Sequence, residues 1–220
     1  MILMTSLFNL EQNLSTSLLL VLPCLAFTGF LATIYYSKPR QPGLRSKLYS
    51  AILNSVLFVL VSEMIYIISL GYFNSPVVSN IIAMIHWLGF IMWVGLFCIY
   101  CFVYLCDLKY NSFKELFKES HRTRIIIIGL IFTFVFYLVF PKSNFETTST
   151  GFIAGTAEYV ALACLTLMCF CVLVATHTTC RKYPIRRRVA ISLIMLVMAI
   201  MLIAQVLVNE VSIYVICSSL

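Results

Sequence analysis

Long apolar stretches alternate with short polar ones along this chain. A helix needs about 20 apolar residues to cross the hydrocarbon core of a bilayer, because each residue adds only 1.5 Å to its length. Six apolar stretches have about that length, at 16–37, 48–72, 77–106, 124–141, 152–178 and 189–209, and a partial seventh lies at 211–220. The pattern predicts an all-α fold, a polytopic transmembrane helix bundle that forms a single domain over residues 1–220.

The composition agrees with a lipid environment. Charged residues make up 10% of the chain and hydrophobic residues 62%, whereas a soluble domain has roughly a quarter charged residues. The nine cysteines lie mostly inside the apolar stretches, where a thiol behaves as a small hydrophobic group. We therefore expect a membrane protein without a disulfide framework.

The basic residues fall on one side of the predicted bundle. Fourteen of the fifteen lie in three alternate polar stretches: Lys38, Arg40, Arg45 and Lys47; Lys109, Lys114, Lys118, Arg122 and Arg124; Arg181, Lys182, Arg186, Arg187 and Arg188. Short cytoplasmic loops retain Lys and Arg, so these three loops are predicted to be cytoplasmic and the amino terminus extracellular, in a multi-pass protein of the plasma membrane. The net charge of +7 then has a topological explanation, and we expect no nucleic-acid partner.

The polar stretch between the third and fourth apolar stretches contains a capping-box pattern, Ser112 to Glu115. Phe113, Leu116 and Phe117 follow at a spacing that places them on one face of a helix. Two interpretations remain open. The segment is either a short interfacial helix on the inner leaflet or a continuation of the preceding span.

Polar side chains inside the predicted spans are the candidate functional residues. They are Glu63, His86 and Glu158, together with Gln205 near the end of the sixth span. At 1.5 Å per residue, Glu63 and His86 each lie about 14 Å from the outer ends of their helices and Glu158 about 9 Å from that of its own. All four groups are therefore expected in the outer half of the bundle.

Two interpretations of these polar groups remain open. Ionisable groups within a span are costly and often functional, so Glu63 and His86 are candidates for a buried pair that changes protonation or lines an outward-facing ligand pocket. Alternatively, the same side chains hold helices together by hydrogen bonds. Trp93 either walls such a pocket or packs in the bundle core. We find no metal site, cofactor motif or soluble catalytic motif in the sequence.

The loop and second span resemble a known family. Tyr36-Ser37-Lys38-Pro39-Arg40, then Lys47-Leu48-Tyr49-Ser50 and the segment from Asn54 to Glu63, are similar to the amino-terminal multi-helix sensor region of membrane histidine kinases from Gram-positive, clostridia-like bacteria. Trp93 and Tyr100 in the third span and Gln205 in the sixth resemble the corresponding parts of that region.

The resemblance implies a sensory input module in a bacterial signal-transduction protein. It also implies a homodimer, a small-molecule or peptide signal on the outer side, and an output domain of the kinase or diguanylate cyclase type. These 220 residues contain no phosphoacceptor histidine or nucleotide-binding domain, so no enzyme activity is carried over to them. The alternatives are a small permease that uses Glu63, His86 and Glu158, and an intramembrane enzyme.

Overall fold

The computed structural model of the protein describes residues 2–39, 43–72, 76–105, 113–140, 155–178 and 185–207. Within these ranges the fold is all-α. The helices are α1 (Ile2–Ser37), α2 (Leu44–Tyr72), α3 (Pro76–Leu105), α4 (Phe113–Glu119), α5 (His121–Val139), α6 (Thr156–Thr178) and α7 (Ile185–Leu207).

The described part of each long apolar stretch falls within one helix, give or take a few residues at its ends, although α1 begins at Ile2, fourteen residues before its predicted stretch. The lengths of the apolar segments divide these helices into two groups. Four helices contain described apolar segments long enough to cross a membrane: Leu44–Ser69, Asn80–Tyr104, Thr156–Thr178 and Ile185–Ala204. The apolar segments described in α1 and α5 are shorter, Val21–Ser37 and Thr123–Val139. The predicted partial span at 211–220 lies outside the described residues.

Helix α3 is the central helix of the bundle. It contacts α2, α5, α6 and α7, while α1 packs on α2, α5 on α6 and α6 on α7. Its side chains Phe90, Ile91, Val94 and Cys98 are among the most buried in the protein. Large apolar side chains on the outer faces of the other helices are exposed, among them Phe27, Phe30, Ile131, Phe132 and Leu193. Such an outer surface suits contact with lipid chains.

Two glycines allow α3 to approach its neighbours closely. A Cβ atom on Gly89 would lie 2.7 Å from the ring of Phe58 on α2, and one on Gly95 would overlap the side chain of Leu130 on α5. Small residues at helix contacts let backbones approach and increase van der Waals packing, the main attraction between helices in lipid. These contacts fix α3 between α2 and α5.

The segment with the capping-box pattern forms a separate short helix, α4, between α3 and α5. Leu116 is fully buried, whereas Phe113 and Phe117 are exposed. The next helix starts at once because the Ser120 side chain caps it, accepting hydrogen bonds from the Thr123 amide at 3.2 Å and hydroxyl at 2.8 Å. Ser112 itself lies outside the described residues.

The helices place two chemically different regions at opposite ends of the bundle. We call the end where α1 and α3 finish and α2 and α7 begin the basic end, because Lys38, Arg45 and Arg187 lie there. At the far end, α2 and α5 finish while α3 and α6 begin. The predicted polar residues lie between the middle of the bundle and the far end.

Candidate functional site: a buried polar cluster

Glu63 of α2 and His86 of α3 meet inside the bundle. Their side chains are 1% and 2% exposed, and the distance from His86 Nε2 to Glu63 Oε2 is 3.5 Å. Glu63 is nine residues from the end of α2 and His86 ten residues from the start of α3, which puts both about 14 Å from the far end. The two residues are therefore at the equal depths that the sequence predicts, and they face each other.

Ser62 lies against the Nδ1 side of the His86 ring. The Ser62 hydroxyl donates to the Val59 carbonyl oxygen at 2.8 Å and lies 3.0 Å from His86 Nδ1. The other ring nitrogen, Nε2, faces Glu63.

At 3.5 Å, His86 Nε2 and the Glu63 carboxyl are in ion-pair contact, so the charge of each group affects the other. With one proton the pair is neutral overall, whether it is written as imidazolium and carboxylate or as imidazole and carboxylic acid. With no proton a carboxylate faces a nitrogen lone pair, and with two protons a net positive charge remains buried. Losing the proton or gaining a second one leaves a net buried charge, which is costly in a low-dielectric interior. The number of protons on the pair therefore affects the stability of the α2–α3 contact.

Further polar groups extend the cluster from this pair to the far end. The buried Tyr66 of α2 lies within electrostatic range of Glu63, Glu158 and Tyr137, and Tyr137 of α5 lies within range of Glu158. Trp87 stacks on Tyr137 with ring centroids 6.2 Å apart. The buried polar cluster therefore consists of Ser62, Glu63, Tyr66, His86, Tyr137 and Glu158, contributed by four helices.

The structure changes the predicted depth of Glu158. Helix α6 begins at Thr156, not at residue 152, so Glu158 lies in its first turn, about 3 Å from the start of the helix. Its side chain is nevertheless 2% exposed. Glu158 thus occupies the end of the cluster nearest to the far surface, while Glu63 and His86 occupy the deeper end.

Trp93 lies outside the buried polar cluster. The Trp93 side chain is buried between Phe90 and Phe97, with ring centroids at 5.7 and 6.4 Å, so Trp93 packs in the core and Trp87 is the tryptophan beside the cluster. Gln205 falls within α7, but its side chain lies outside the described part of the protein.

Sequence reasoning missed Ser62, Tyr66 and Tyr137 as members of the cluster. A signal was present on α2, because Ser62, Glu63, Tyr66 and Ser69 recur at helical spacing and all four are buried. No such periodicity marks Tyr137 on α5. Only the packing of α5 against α3 brings this residue to the cluster.

The predicted basic residues line the opposite, basic end. Lys38 follows α1 directly, Arg45 and Lys47 lie in the first turn of α2, and Arg186, Arg187 and Arg188 lie in the first turn of α7. Arg40 falls outside the described residues. The two ends therefore separate the buried carboxyl and imidazole groups from the basic side chains.

Metal ligands are not grouped in the described parts of the chain. No three His, Cys, Asp or Glu side chains are placed there to hold an ion. Cys98, Cys101 and Cys169 are buried free thiols among the apolar core residues of α3 and α6. The buried polar cluster contains carboxyl, imidazole, phenol and hydroxyl groups, all of which form hydrogen bonds.

Comparison of the chain with models of known protein families, with curated proteins and with solved structures gave no match.

Proposed function

We propose that this chain is the membrane-embedded input module of a bacterial signal-transduction protein, in which the buried polar cluster responds to protons from the outer side. The observation that supports the proposal is the contact between Glu63 and His86, which joins α2 to the central helix α3. Any change in their protonation acts on the helix that contacts most of the bundle. Shifts of 1–2 Å between packed helices are sufficient to switch a two-state output.

The proposed topology has six full spans, a partial seventh, an extracellular amino terminus and a cytoplasmic basic end. It places the far end, and with it Glu158, toward the outside. As in the kinases that the chain resembles, we propose a homodimer that relays the change to a cytoplasmic output domain. Alkaline phosphatase fused within 141–150 should be active, because this enzyme matures outside the cytoplasm, and fusions within 106–112 should be inactive. The reverse pattern would overturn the topology.

Trp87 offers a direct test of proton response, since the chain contains only two tryptophans. In a Trp93→Phe protein, all tryptophan emission comes from Trp87, whose ring centroid lies 6.5 Å from that of His86. We expect the emission to change on acidification, because a second proton on the Glu63–His86 pair places a net positive charge beside the indole. The same titration in the Glu63→Gln, His86→Gln background should be flat.

The matched control is Trp87→Phe, which leaves Trp93 between two phenylalanine rings. Its emission should not titrate with the Trp87 signal. An unchanged Trp87 titration after replacement of both Glu63 and His86 would show that the pair is not the proton site, and would return these residues to a purely structural role.

A proton-coupled permease is the second candidate function. The observation that favours it is the continuous placement of Glu158, Tyr66, Glu63 and His86 from the far end into the middle of the bundle. Proton relays through membrane bundles use such carboxyl and imidazole groups. Proton-driven uptake into liposomes that is lost in Glu63→Gln would favour the permease over the sensor.

A further inference from the structure

Helix α4 is too short to be stable by itself. It has seven residues, Phe113–Glu119, whereas isolated helices shorter than about 12 residues are marginal in water. The protein holds one side of α4, because Leu116 is fully buried in the hydrophobic core and α4 packs on α5. The stability of α4 therefore also depends on what its remaining surface contacts.

The remaining surface of α4 presents two kinds of exposed side chain in adjacent sectors. Successive residues of a helix are rotated by about 100°. Phe113 and Phe117 therefore lie about 80° around the helix from Leu116, whereas Lys114 and Lys118 lie on the side opposite to it. The two phenylalanine rings are 40% and 46% exposed, and both lysines are exposed. Aromatic and basic side chains in this arrangement are typical of a helix that lies in the plane of a membrane surface.

Tyrosine rings mark the depth of a membrane interface at the basic end, where α4 lies. Tyr35, Tyr49 and Tyr100 follow one another with ring centroids 4.8 and 6.1 Å apart, and they come from α1, α2 and α3. Tyrosine is enriched at the level of lipid headgroups, where one part of the ring is apolar and the hydroxyl meets polar groups. Because α5 begins at this end directly after α4, α4 lies where lipid chains meet headgroups.

We propose that α4 binds the surface of an anionic leaflet at the basic end, with Phe113 and Phe117 inserted at the top of the lipid chains and Lys114 and Lys118 at the lipid phosphates. Charge complementarity favours this occupant, because each lysine close to an anionic leaflet strengthens binding by about fivefold. The leaflet then stabilises the side of α4 that the protein leaves exposed. Leaflet binding by α4 is independent of the proton response proposed for the buried polar cluster.

A single residue connects this surface helix to the bundle. The Ser120 amide donates to the Leu116 carbonyl oxygen at 3.0 Å at the end of α4, and Ser120 Oγ accepts from the Thr123 amide at 3.2 Å at the start of α5. Ser120 and Thr123 are both buried. With so short a connection, a displacement of α4 at the membrane surface also displaces the start of α5.

Hydrogen exchange of the whole chain in nanodiscs tests the lipid contact, because the hydrogen-bonded amides of α4 exchange only when the helix opens. Exchange within 113–119 should be about tenfold slower in phosphatidylglycerol than in phosphatidylcholine. Lys114→Gln, Lys118→Gln should abolish most of that difference. The matched control, Lys38→Gln, Lys47→Gln, removes the same charge from exposed positions between α1 and the first turn of α2 and should retain it.

Two outcomes of the exchange experiment would overturn the proposal. Equal exchange of α4 in the two lipids would mean that the protein alone holds the helix. An equal loss of the difference in both glutamine variants would mean that the lipid acts through the overall charge of the basic end and not through α4.

Quenching by brominated lipids tests the depth of α4. In a Trp87→Phe, Trp93→Phe background, with folding checked by helical circular dichroism, the emission of Phe117→Trp should be quenched more by bromines near the headgroup than by bromines deep in the chains. The matched control is Phe132→Trp, which is 57% exposed and eleven residues into α5. It lies about 16 Å deeper and should show the opposite order. No quenching at position 117, or the order seen in the control, would overturn the proposal. The exchange experiment keeps both native tryptophans, so it decides the question if this background fails to fold.

Discussion

The buried polar cluster and the basic end hold their charged groups in opposite ways. Glu63 and His86 lie inside the bundle, where they contact each other across two helices. Arg45 and Arg187 lie at the rim and rest on an exposed tyrosine ring. A charge at the centre of a bilayer needs a partner in the protein, whereas a long basic side chain near a helix end can reach the interface.

The two regions should therefore differ in how strongly they respond to a substitution. Glu63 and His86 are almost completely buried, so the loss of either partner exposes the other to a low-dielectric interior. Arg45 and Arg187 are only partly buried beside an exposed tyrosine ring, where solvent screens their charge. Substitutions at equivalent chemical groups in the two regions should therefore have unequal effects, and the expected differences can be ordered by size.

The largest expected difference is between two aromatic residues. Trp87 is 5% exposed, stacks on Tyr137 and contacts Phe90 edge-on with centroids 5.7 Å apart. Trp87→Ala should lower the free energy of unfolding by about 3 kcal/mol or more, since a buried aromatic ring leaves a cavity. Tyr104→Ala removes a partly exposed ring and should cost about 1 kcal/mol or less.

Both aromatic variants can be compared with wild type by denaturation in mixed micelles, with helical circular dichroism as the signal. Intrinsic fluorescence would be unsuitable as the signal, because each of the two substitutions removes an aromatic ring that contributes to it. A loss at Tyr104 as large as that at Trp87 would mean that the basic end contributes to the folded core, and the contrast between the two regions would fail.

The next largest effect is expected within the Glu63–His86 pair. Glu63→Leu and His86→Leu each remove the contact between His86 Nε2 and the Glu63 carboxyl. Each should cost about 2 kcal/mol, as for a buried polar group deprived of a hydrogen bond. The double leucine variant should cost less than the sum of the two by about 1 kcal/mol or more.

Unfolding free energies of the wild type, the two single variants and the double variant complete this cycle. Val61→Leu is a matched control, because Val61 is on the same helix but exposed, and it should change little. Strict additivity of the single effects would indicate that Glu63 and His86 act independently, contrary to their 3.5 Å contact.

The sequence is sufficient to predict the helical fold and the main polar pair, because both depend on regular spacing along single helices. Apolar length identifies the helices, and counting residues from helix ends gives Glu63 and His86 the same depth. Contacts across helices are not contained in that spacing. Tyr137 reaches Trp87 only because α3 packs on α5. The depth of Glu158 depends on where α6 begins, and the apolar pattern places that start four residues too early.

A smaller effect is expected at Ser62, which orients His86. Ser62→Ala removes a hydrogen-bond partner of His86 Nδ1 and should cost about 1 kcal/mol of stability. It also removes the hydrogen bond from the Ser62 hydroxyl to the Val59 carbonyl oxygen, which changes the polar surroundings of the imidazole. In the Trp93→Phe background, the Trp87 titration should shift relative to Ser62-containing protein. A Ser55→Ala control, whose hydroxyl donates only to the Ile52 carbonyl at 2.7 Å, should leave that titration unchanged.

The smallest expected effect is at Tyr36, which has a hydrogen-bonding hydroxyl at the exposed basic end. This hydroxyl lies 2.8 Å from Ser50 Oγ and donates to Asn54 Oδ1 at 2.7 Å. Tyr36→Phe should cost only about 0.5 kcal/mol, since side-chain hydrogen bonds between membrane helices average about that value and interfacial water replaces the lost partner. The Trp87 titration should be unaffected, because Tyr36 of α1 contacts α2 at the basic end, away from Glu63. A titration that did shift would show that the two ends are coupled through α2, which is the property a sensor needs to pass its signal across the membrane.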